Sequence, residues 1–152
     1  MLAPDIDSVL ALEQQIAAAP HWNRAAYECC IEASNTQTLR RAGFVAVADE
    51  RLVGFSIGKL VAGVGELESV AVEENMRGQG IGRALVHAVI DWARSKDAER
   101  VELEVRSSND GAIRLYEQTG LRREGIRADY YDDPKEDAVL MGILFSSGGN
   151  LA

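Results

Sequence analysis

Three observations in the sequence predict a mixed α/β domain, a central sheet with helices packed on it. The length, 152 residues, suits one ordinary domain and is short for two. The hydrophobic period switches along the chain from strand-like alternation to helical spacing and back. In the second half, strand, helix, strand, helix and strand follow one another, an order that goes with a helix-covered sheet.

Taken in order, Val9, Leu10, Leu12 and Ile16 form an apolar stripe at helical spacing after a cap at Asp5 or Asp7, and Pro20 ends that helix. A second helical stretch is expected from about Asn23 to Ser34, with Cys29 and Cys30 as packing residues on it. Strands are predicted over Phe44–Ala48 and Leu52–Leu60, joined by the turn Asp49-Glu50-Arg51, and over Glu66–Val72. Ile81, Leu85, Val89 and Trp92 share one face of a helix from about Gly80 to Ser95. From Arg100 to Arg106 the alternation is strict, with Val101, Leu103 and Val105 on one side and Glu102 and Glu104 on the other. Asn109 or Asp110 caps a helix carrying Ala112, Ile113, Leu115 and Tyr116, stopped by Gly120 in a left-handed conformation. Strands over Arg122–Tyr130 and Asp137–Phe145 flank the turn Asp132-Asp133-Pro134-Lys135. One domain over 1–145 is expected, with a flexible polar tail over 146–152.

Composition narrows the function. Hydrophobic residues make up 47% and charged residues 26%, the profile of a folded globular chain rather than a disordered one. Sixteen basic against twenty-four acidic residues give a net charge of −8, which repels phosphate backbones and argues against nucleic-acid binding. The adjacent Cys29 and Cys30 have neither CxxC spacing nor a histidine pair, so no metal site or redox motif is expected. His21 and His87 are read as surface or structural residues. Free thiols, no basic-then-apolar leader and no run approaching the ~20 residues of a membrane span lead us to expect a cytoplasmic protein with no membrane partner.

The stretch most informative about chemistry is Val70-Ala71-Val72-Glu73-Glu74-Asn75-Met76-Arg77-Gly78-Gln79-Gly80-Ile81-Gly82-Arg83, a strand and a glycine-rich entry into a long helix. Glycines at 78, 80 and 82 let backbone N–H groups converge in front of a positive helix end, which suits a phosphate or pyrophosphate. A plain flexible turn before a helix is the competing reading. A Walker loop is excluded because no Gly-Lys-Ser/Thr run exists. A dinucleotide fingerprint is excluded because it needs glycine at 83, where Arg83 stands.

What remains is the pattern [RQ]-x-x-G-x-[GA], here Arg77-x-x-Gly80-x-Gly82, and with it the chain resembles the GNAT family of acetyltransferases. Three further segments resemble the RimI-type and archaeal N-terminal acetyltransferases within that family. They are Leu103 to Asn109, then Ala112-Ile113-x-Leu115-Tyr116-Glu117 with Gly120-Leu121, then Tyr130-Tyr131 with Glu136-Asp137-Ala138-x-x-Met141. The resemblance covers about residues 42–145; before that only Pro20-x-Trp22 is similar to the family's Pro-Trp corner. It implies a GNAT fold, a mixed sheet of about six or seven strands flanked by four helices, with the family's first strand missing or vestigial.

The resemblance also implies roles. Acetyl-CoA would enter a cleft between the strand ending at Val72 and the strand Val101–Val105, with no metal involved. Val70, Ala71 and Val72 would hold the pantetheine arm through their backbone, Arg77, Gly78, Gln79, Gly80, Ile81 and Gly82 the pyrophosphate, and Asn109 the pantetheine or acetyl end. Glu104 stands at the general base and Tyr116 at the general acid, while Trp22, Tyr130 and Tyr131 would flank a peptide acceptor. Read without the family, Glu104 is a solvated strand carboxylate, Tyr116 a core tyrosine and Asn109 a helix cap.

The implied reaction is acetylation of a protein N-terminus, in RimI-type enzymes the N-terminal alanine of a small-subunit ribosomal protein. The chemistry agrees with an α-amine: at a pKa of about 7.7–8.0 it needs only a modest base, whereas lysine at about 10.4 needs a stronger one. A lysine side chain or small amine as acceptor, and a non-catalytic acyl-CoA sensor, are the alternative readings; the oligomeric state is not legible.

Overall fold

The computed structural model describes residues 1–16, 19, 21–31 and 38–146. Helix α1 spans Ile6–Gln14 and buries Ile6, Val9 and Leu12, as the stripe predicts. Pro20, expected to end it, lies outside the described residues. Helix α2 is shorter than expected, Arg24–Glu28, started by Asn23, whose side chain accepts from the Ala26 amide. The two cysteines therefore stand at its C-terminal end, Cys30 buried and Cys29 exposed, rather than both packing along it. Residues 32–37 and the tail 147–152 lie outside the described residues.

Strands β1 (Leu39–Ala48), β2 (Arg51–Val61) and β3 (Val64–Val72) form an antiparallel meander. Asp49 and Glu50, at φ of 51° and 60°, make the first turn, the left-handed pair that matches strand twist in a tight hairpin. Helix α3 (Ile81–Ser95) leads to β4 (Arg100–Arg106), helix α4 (Asp110–Gln118), and the hairpin β5 (Arg122–Asp132) and β6 (Lys135–Leu144). The six strands lie in the order β1-β2-β3-β4-β6-β5, mixed because β3 and β4 run parallel. No strand precedes α1 among the described residues; the Met1 nitrogen instead donates to the Gly43 carbonyl of β1 at 2.6 Å.

Each face of the sheet has its own core. On one, α3 buries Leu85, Val86, Val89, Ile90 and Ala93, and α4 buries Ile113 and Tyr116. Much of this surface closes over Leu67, Val101, Leu103, Val105, Val139 and Met141. Fully burying an aliphatic side chain contributes about 1.5–3 kcal/mol, so this layer is the main source of stability. On the other face α1 and α2 pack Ile6, Val9, Leu12 and Tyr27 over Phe55, Ile57 and Ala71. Glu13 is buried there, accepting from the Tyr27 hydroxyl at 2.5 Å and the Trp22 amide at 2.8 Å. No helix among the described residues is long and apolar enough to cross a membrane.

One irregularity shapes the middle of the sheet. Ile57 pairs with Ser69 and Gly58 with Leu67, so Glu68 is an extra residue in β3, a bulge. An extra residue flips which side chains face which way. Leu67 accordingly packs with α3 and α4, whereas Ala71 packs with α1 and α2, although an unbroken strand would point both to one face. The sequence reading treats this strand as continuous; the bulge is an addition that only the pairing reveals.

Candidate active site

β3 and β4 pair only from Val64↔Arg100 to Glu66↔Glu102, and the ladder stops just before the bulge at Glu68. Beyond it each strand stays bound on its other flank, β3 to β2 as far as Val72 and β4 to β6 as far as Arg106. A wedge therefore opens in the middle of the sheet, edged by the backbone of Val70, Ala71 and Val72 on one side and by β4 on the other. This is the cleft position expected from the sequence.

At the mouth of the wedge the chain turns through Glu74–Met76, and Arg77 folds back so that its Nε donates to the Val72 carbonyl at 3.3 Å. Gly78 and Gly80 have φ of 79° and 84°, values an L side chain rarely adopts, and a Cβ on either would meet nothing within 4 Å. Backbone conformation, not crowding, demands glycine there, and the space ahead is open. No side chain caps α3, and its first helical bond runs from the Ala84 amide to the Gly80 carbonyl. The amides of Ile81, Gly82 and Arg83 are left as donors at the positive end of a 15-residue helix, an arrangement that can take a phosphate-type anion. Gly82 has a packing role as well. A Cβ there would stand 3.2 Å from Leu115 Cδ2 and 3.7 Å from Val72 Cγ2, so its smallness lets α3 pack closely against α4.

Glu104 lies in mid-β4, opposite Leu140 of β6, its side chain 27% exposed. Its Oε1 is 3.0 Å from Nη1 of Arg127 on β5. The Tyr130 phenol is pushed up from its ordinary value, first by hydrogen bonding to Glu104 and then by burial. The Tyr131 phenol is pushed up by burial first and then by the Glu104 charge. The two rings meet edge to face at 5.0 Å, with Arg127 over Tyr130 and Arg106 over Tyr131 at 5.2 and 4.3 Å. Tyr116 projects from α4 on the other side of the sheet, 9% exposed, its phenol pushed up to about 12 by burial first and by Tyr131 second. The structure thus brings Glu104, Tyr130 and Tyr131 together on one face, with Tyr116 on the other face of the sheet and influenced by Tyr131.

The hairpin carrying the tyrosines is fixed by residues the sequence reading missed. The β5 ladder breaks between Arg127 and Tyr131, where Asp129 has φ of 52° and its amide donates to Asp137 Oδ1 at 2.9 Å. Arg106 ties β4 to the hairpin tip, donating to the Pro134 carbonyl at 2.9 Å and to Glu136 Oε2 at 3.3 Å. Glu136 Oε1 accepts from the Ser108 amide at 2.6 Å and the Ser107 hydroxyl at 3.2 Å, and these bonds, those to Ser108 first, hold its carboxyl below the usual range. Arg127 and Glu104 are far apart in the chain, as are Arg106 and Glu136, so no local pattern announces either pair.

Two expected site residues have structural partners instead of partners in this cluster. The Asn109 side chain caps α4, accepting from the Ala112 amide at 3.2 Å. Trp22 sits in the α1–α2 layer, its ring 5.5 Å from that of Tyr27.

The sequence and the fold both have counterparts among known proteins. The model of the acetyltransferase (GNAT) family matches residues 8–121. The chain belongs to the GNAT family. Among its relatives is the ribosomal protein bS18-alanine N-acetyltransferase of Escherichia coli (strain K12), 33% identical over 144 residues that span 93% of each chain. The crystal structure of the Escherichia coli ribosomal-protein-S18-alanine N-acetyltransferase superposes with a TM-score of 0.80 at 30% identity, covering 100% of this chain and 96% of that one. A Bacillus subtilis acetyltransferase solved in complex with CoA shares the fold over 70% of this chain and 78% of its own, with a TM-score of 0.65 at 22% identity. Being a GNAT protein, the chain is an acetyl-CoA-dependent N-acetyltransferase, with a six-stranded mixed sheet and four helices among the described residues.

Proposed function

We propose that this GNAT enzyme acetylates the α-amine of a protein N-terminus, an N-terminal alanine of a ribosomal protein being the favoured acceptor. The observation that carries the reading is Glu104 on β4, the strand that edges the wedge, with Tyr130 hydrogen-bonded to it, the Tyr131 ring 5.0 Å from that of Tyr130, and the Tyr116 phenol within reach of Tyr131. The similarity to a bS18-alanine N-acetyltransferase over 93% of both chains supports the choice of acceptor.

The wedge and the α3 N-terminus fit acetyl-CoA: open space stands before Gly78 and Gly80, and the free amides of the first helical turn face it. When bound, acetyl-CoA supplies the acetyl group as a thioester, whose C–S bond is exchanged for a C–N bond. Backbone groups of Val70, Ala71 and Val72 orient the arm along the wedge, and the 77–82 loop takes the diphosphate charge. Asn109 fixes the start of α4 next to the arm.

The amine side belongs to Glu104. An α-ammonium must lose one proton before it can attack and a second afterwards, and Glu104 takes the first on a carboxylate oxygen and passes it to solvent. Tyr116 Oη, kept protonated by burial, gives its proton to the leaving thiol sulfur and is restored by the second proton shed from nitrogen. Tyr130 and Tyr131 line the acceptor side with two amphipathic rings able to hydrogen-bond a peptide backbone. Trp22 buttresses the α1–α2 layer from behind. The net charge of −8 favours a basic partner such as a ribosomal protein tail.

The test is competition between two peptides of one ribosomal sequence, one with a free N-terminal alanine, the other blocked there and rich in lysine. Mass-detected acetylation of the free terminus is expected. Faster modification of the blocked peptide would move the acceptor to lysine, and tight acetyl-CoA binding with neither peptide modified would point to a sensor.

A further inference from the structure

Glu104, the proton acceptor in the reading above, does not stand free. Its Oε1 is held 3.0 Å from Arg127 Nη1, in a pair whose arginine side chain is 55% exposed. The same guanidinium lies 5.2 Å from the centre of the Tyr130 ring, so a second resting place for its charge adjoins the first. Arg127 is also the last paired residue of β5 before the ladder break that ends at Tyr131.

The acceptor needs the carboxylate that Arg127 holds. At neutral pH about nine-tenths of an α-amine is ammonium, so the acceptor reaches the site as a cation. Two cations on one carboxylate repel each other, and the weaker hold yields. The Arg127 pair is of the half-exposed kind that solvent screens, and the cation–π contact with Tyr130 offsets part of its loss.

We propose that Arg127 is a positioning residue that occupies Glu104 in the empty enzyme and surrenders it to the incoming ammonium, moving onto Tyr130 as it does so. The inference rests on the reading of Glu104 as the acceptor-side base. It assigns Arg127 a cost in acceptor binding and none in the chemical step: the acceptor must displace an internal competitor before it is bound.

The experiment is a KM-against-kcat split on the full chain with a free-N-terminus peptide and saturating acetyl-CoA. Arg127→Gln should lower the acceptor KM by about twofold to fivefold, the range spanned by a half-exposed ion pair, and leave kcat within about twofold. Arg127→Lys, which restores the cation, should return the KM toward that of the parent. An unchanged or raised acceptor KM in Arg127→Gln, or a tenfold fall in kcat at constant KM, would overturn the proposal. The second arm is the Glu104→Gln/Arg127→Gln double variant. Without the carboxylate charge, the Arg127 change should no longer move KM; a KM effect that persists there refutes the exchange while leaving the base assignment intact. Conversely, full kcat in Glu104→Gln would remove the base assignment, and the coupling of the two changes in KM would still decide the exchange.

Discussion

Tyr116→Phe separates catalysis from stability at a single atom. The ring is 9% exposed and packs in the α3–α4 core, so phenylalanine keeps its burial. The hydroxyl makes no hydrogen bond to another described residue, and the bonds that Tyr116 does accept, from Thr119 and Leu121, go to its backbone carbonyl. Removing an oxygen without a protein partner orphans nothing, so stability should change by no more than about 0.5 kcal/mol. Loss of a proton donor in the reaction costs about 10²–10⁴-fold. At 1.36 kcal/mol per tenfold, that is roughly 3–5 kcal/mol of barrier. The assay is kcat with both substrates saturating, beside a denaturant titration of each protein. Because burial pushes the phenol up to about 12, Tyr116 stays protonated through the working range, and its ionisation should contribute no falling limb to the wild-type profile below about pH 10. Equal losses in kcat and stability would make Tyr116 a packing residue. Full kcat, or a falling limb near pH 9 that vanishes in the variant, would refute the argument outright.

Other outcomes follow from the same geometry. Gly80→Ala puts a Cβ at φ 84° into open space, so it should cost about 1 kcal/mol in unfolding and weaken acetyl-CoA binding far more, checked by denaturation and calorimetry. Tyr27→Phe removes the 2.5 Å donor to the buried Glu13 and should lower stability by about 1–3 kcal/mol with kcat unchanged, checked by thermal unfolding and steady-state kinetics. Glu104→Gln should reduce turnover most at low pH, and the loss should shrink as pH rises past the α-amine pKa of about 7.7–8.0 and the acceptor arrives already deprotonated; a pH-independent loss would remove the base role.

What could be read from the sequence was what repeats at short range. Arg100–Arg106 has the predicted limits because its alternation is strict and both faces are used, one by the core and one by the site. α3 starts directly after Gly80 because that residue is its N-cap in the left-handed conformation. β1 begins at Leu39, ahead of the apolar run at Phe44, because Arg41 is neutralised by Glu68 at 2.9 Å, and that partner is remote in the chain. α2 stops at Glu28 although the helical pattern runs on, a shortfall that propensity alone does not foresee. For the site, the glycine-rich loop and the polar-face position of Glu104 on β4 were legible from the sequence, whereas the roles proposed for them came only from the resemblance. The cations at Arg127 and Arg106 were not, because an arginine on an edge strand or at a strand end reads as ordinary solvated surface, and the partners of both are remote in the chain.

The bulge at Glu68 ties these threads together. A one-residue insertion reverses the facing of Ser69 to Val72, so Val70 packs toward α3 and α4 while Ala71 packs toward α1 and α2. The twist a bulge adds explains why β3 leaves β4 directly after Glu66, and the departure is what frees the backbone of residues 70–72 to bind something other than a strand. Because the wedge passes through the sheet, one ligand arm can meet groups from both faces: Tyr116 from the α3–α4 side and Glu104 from the side opposite Leu103 and Val105. In the proposed mechanism, acid and base would then work on the same bond without lying in the same layer. Closing the ladder would separate Glu104 from Tyr116 by a full sheet, so the proposed proton transfer on two faces depends on the irregular strand more than on any single side chain.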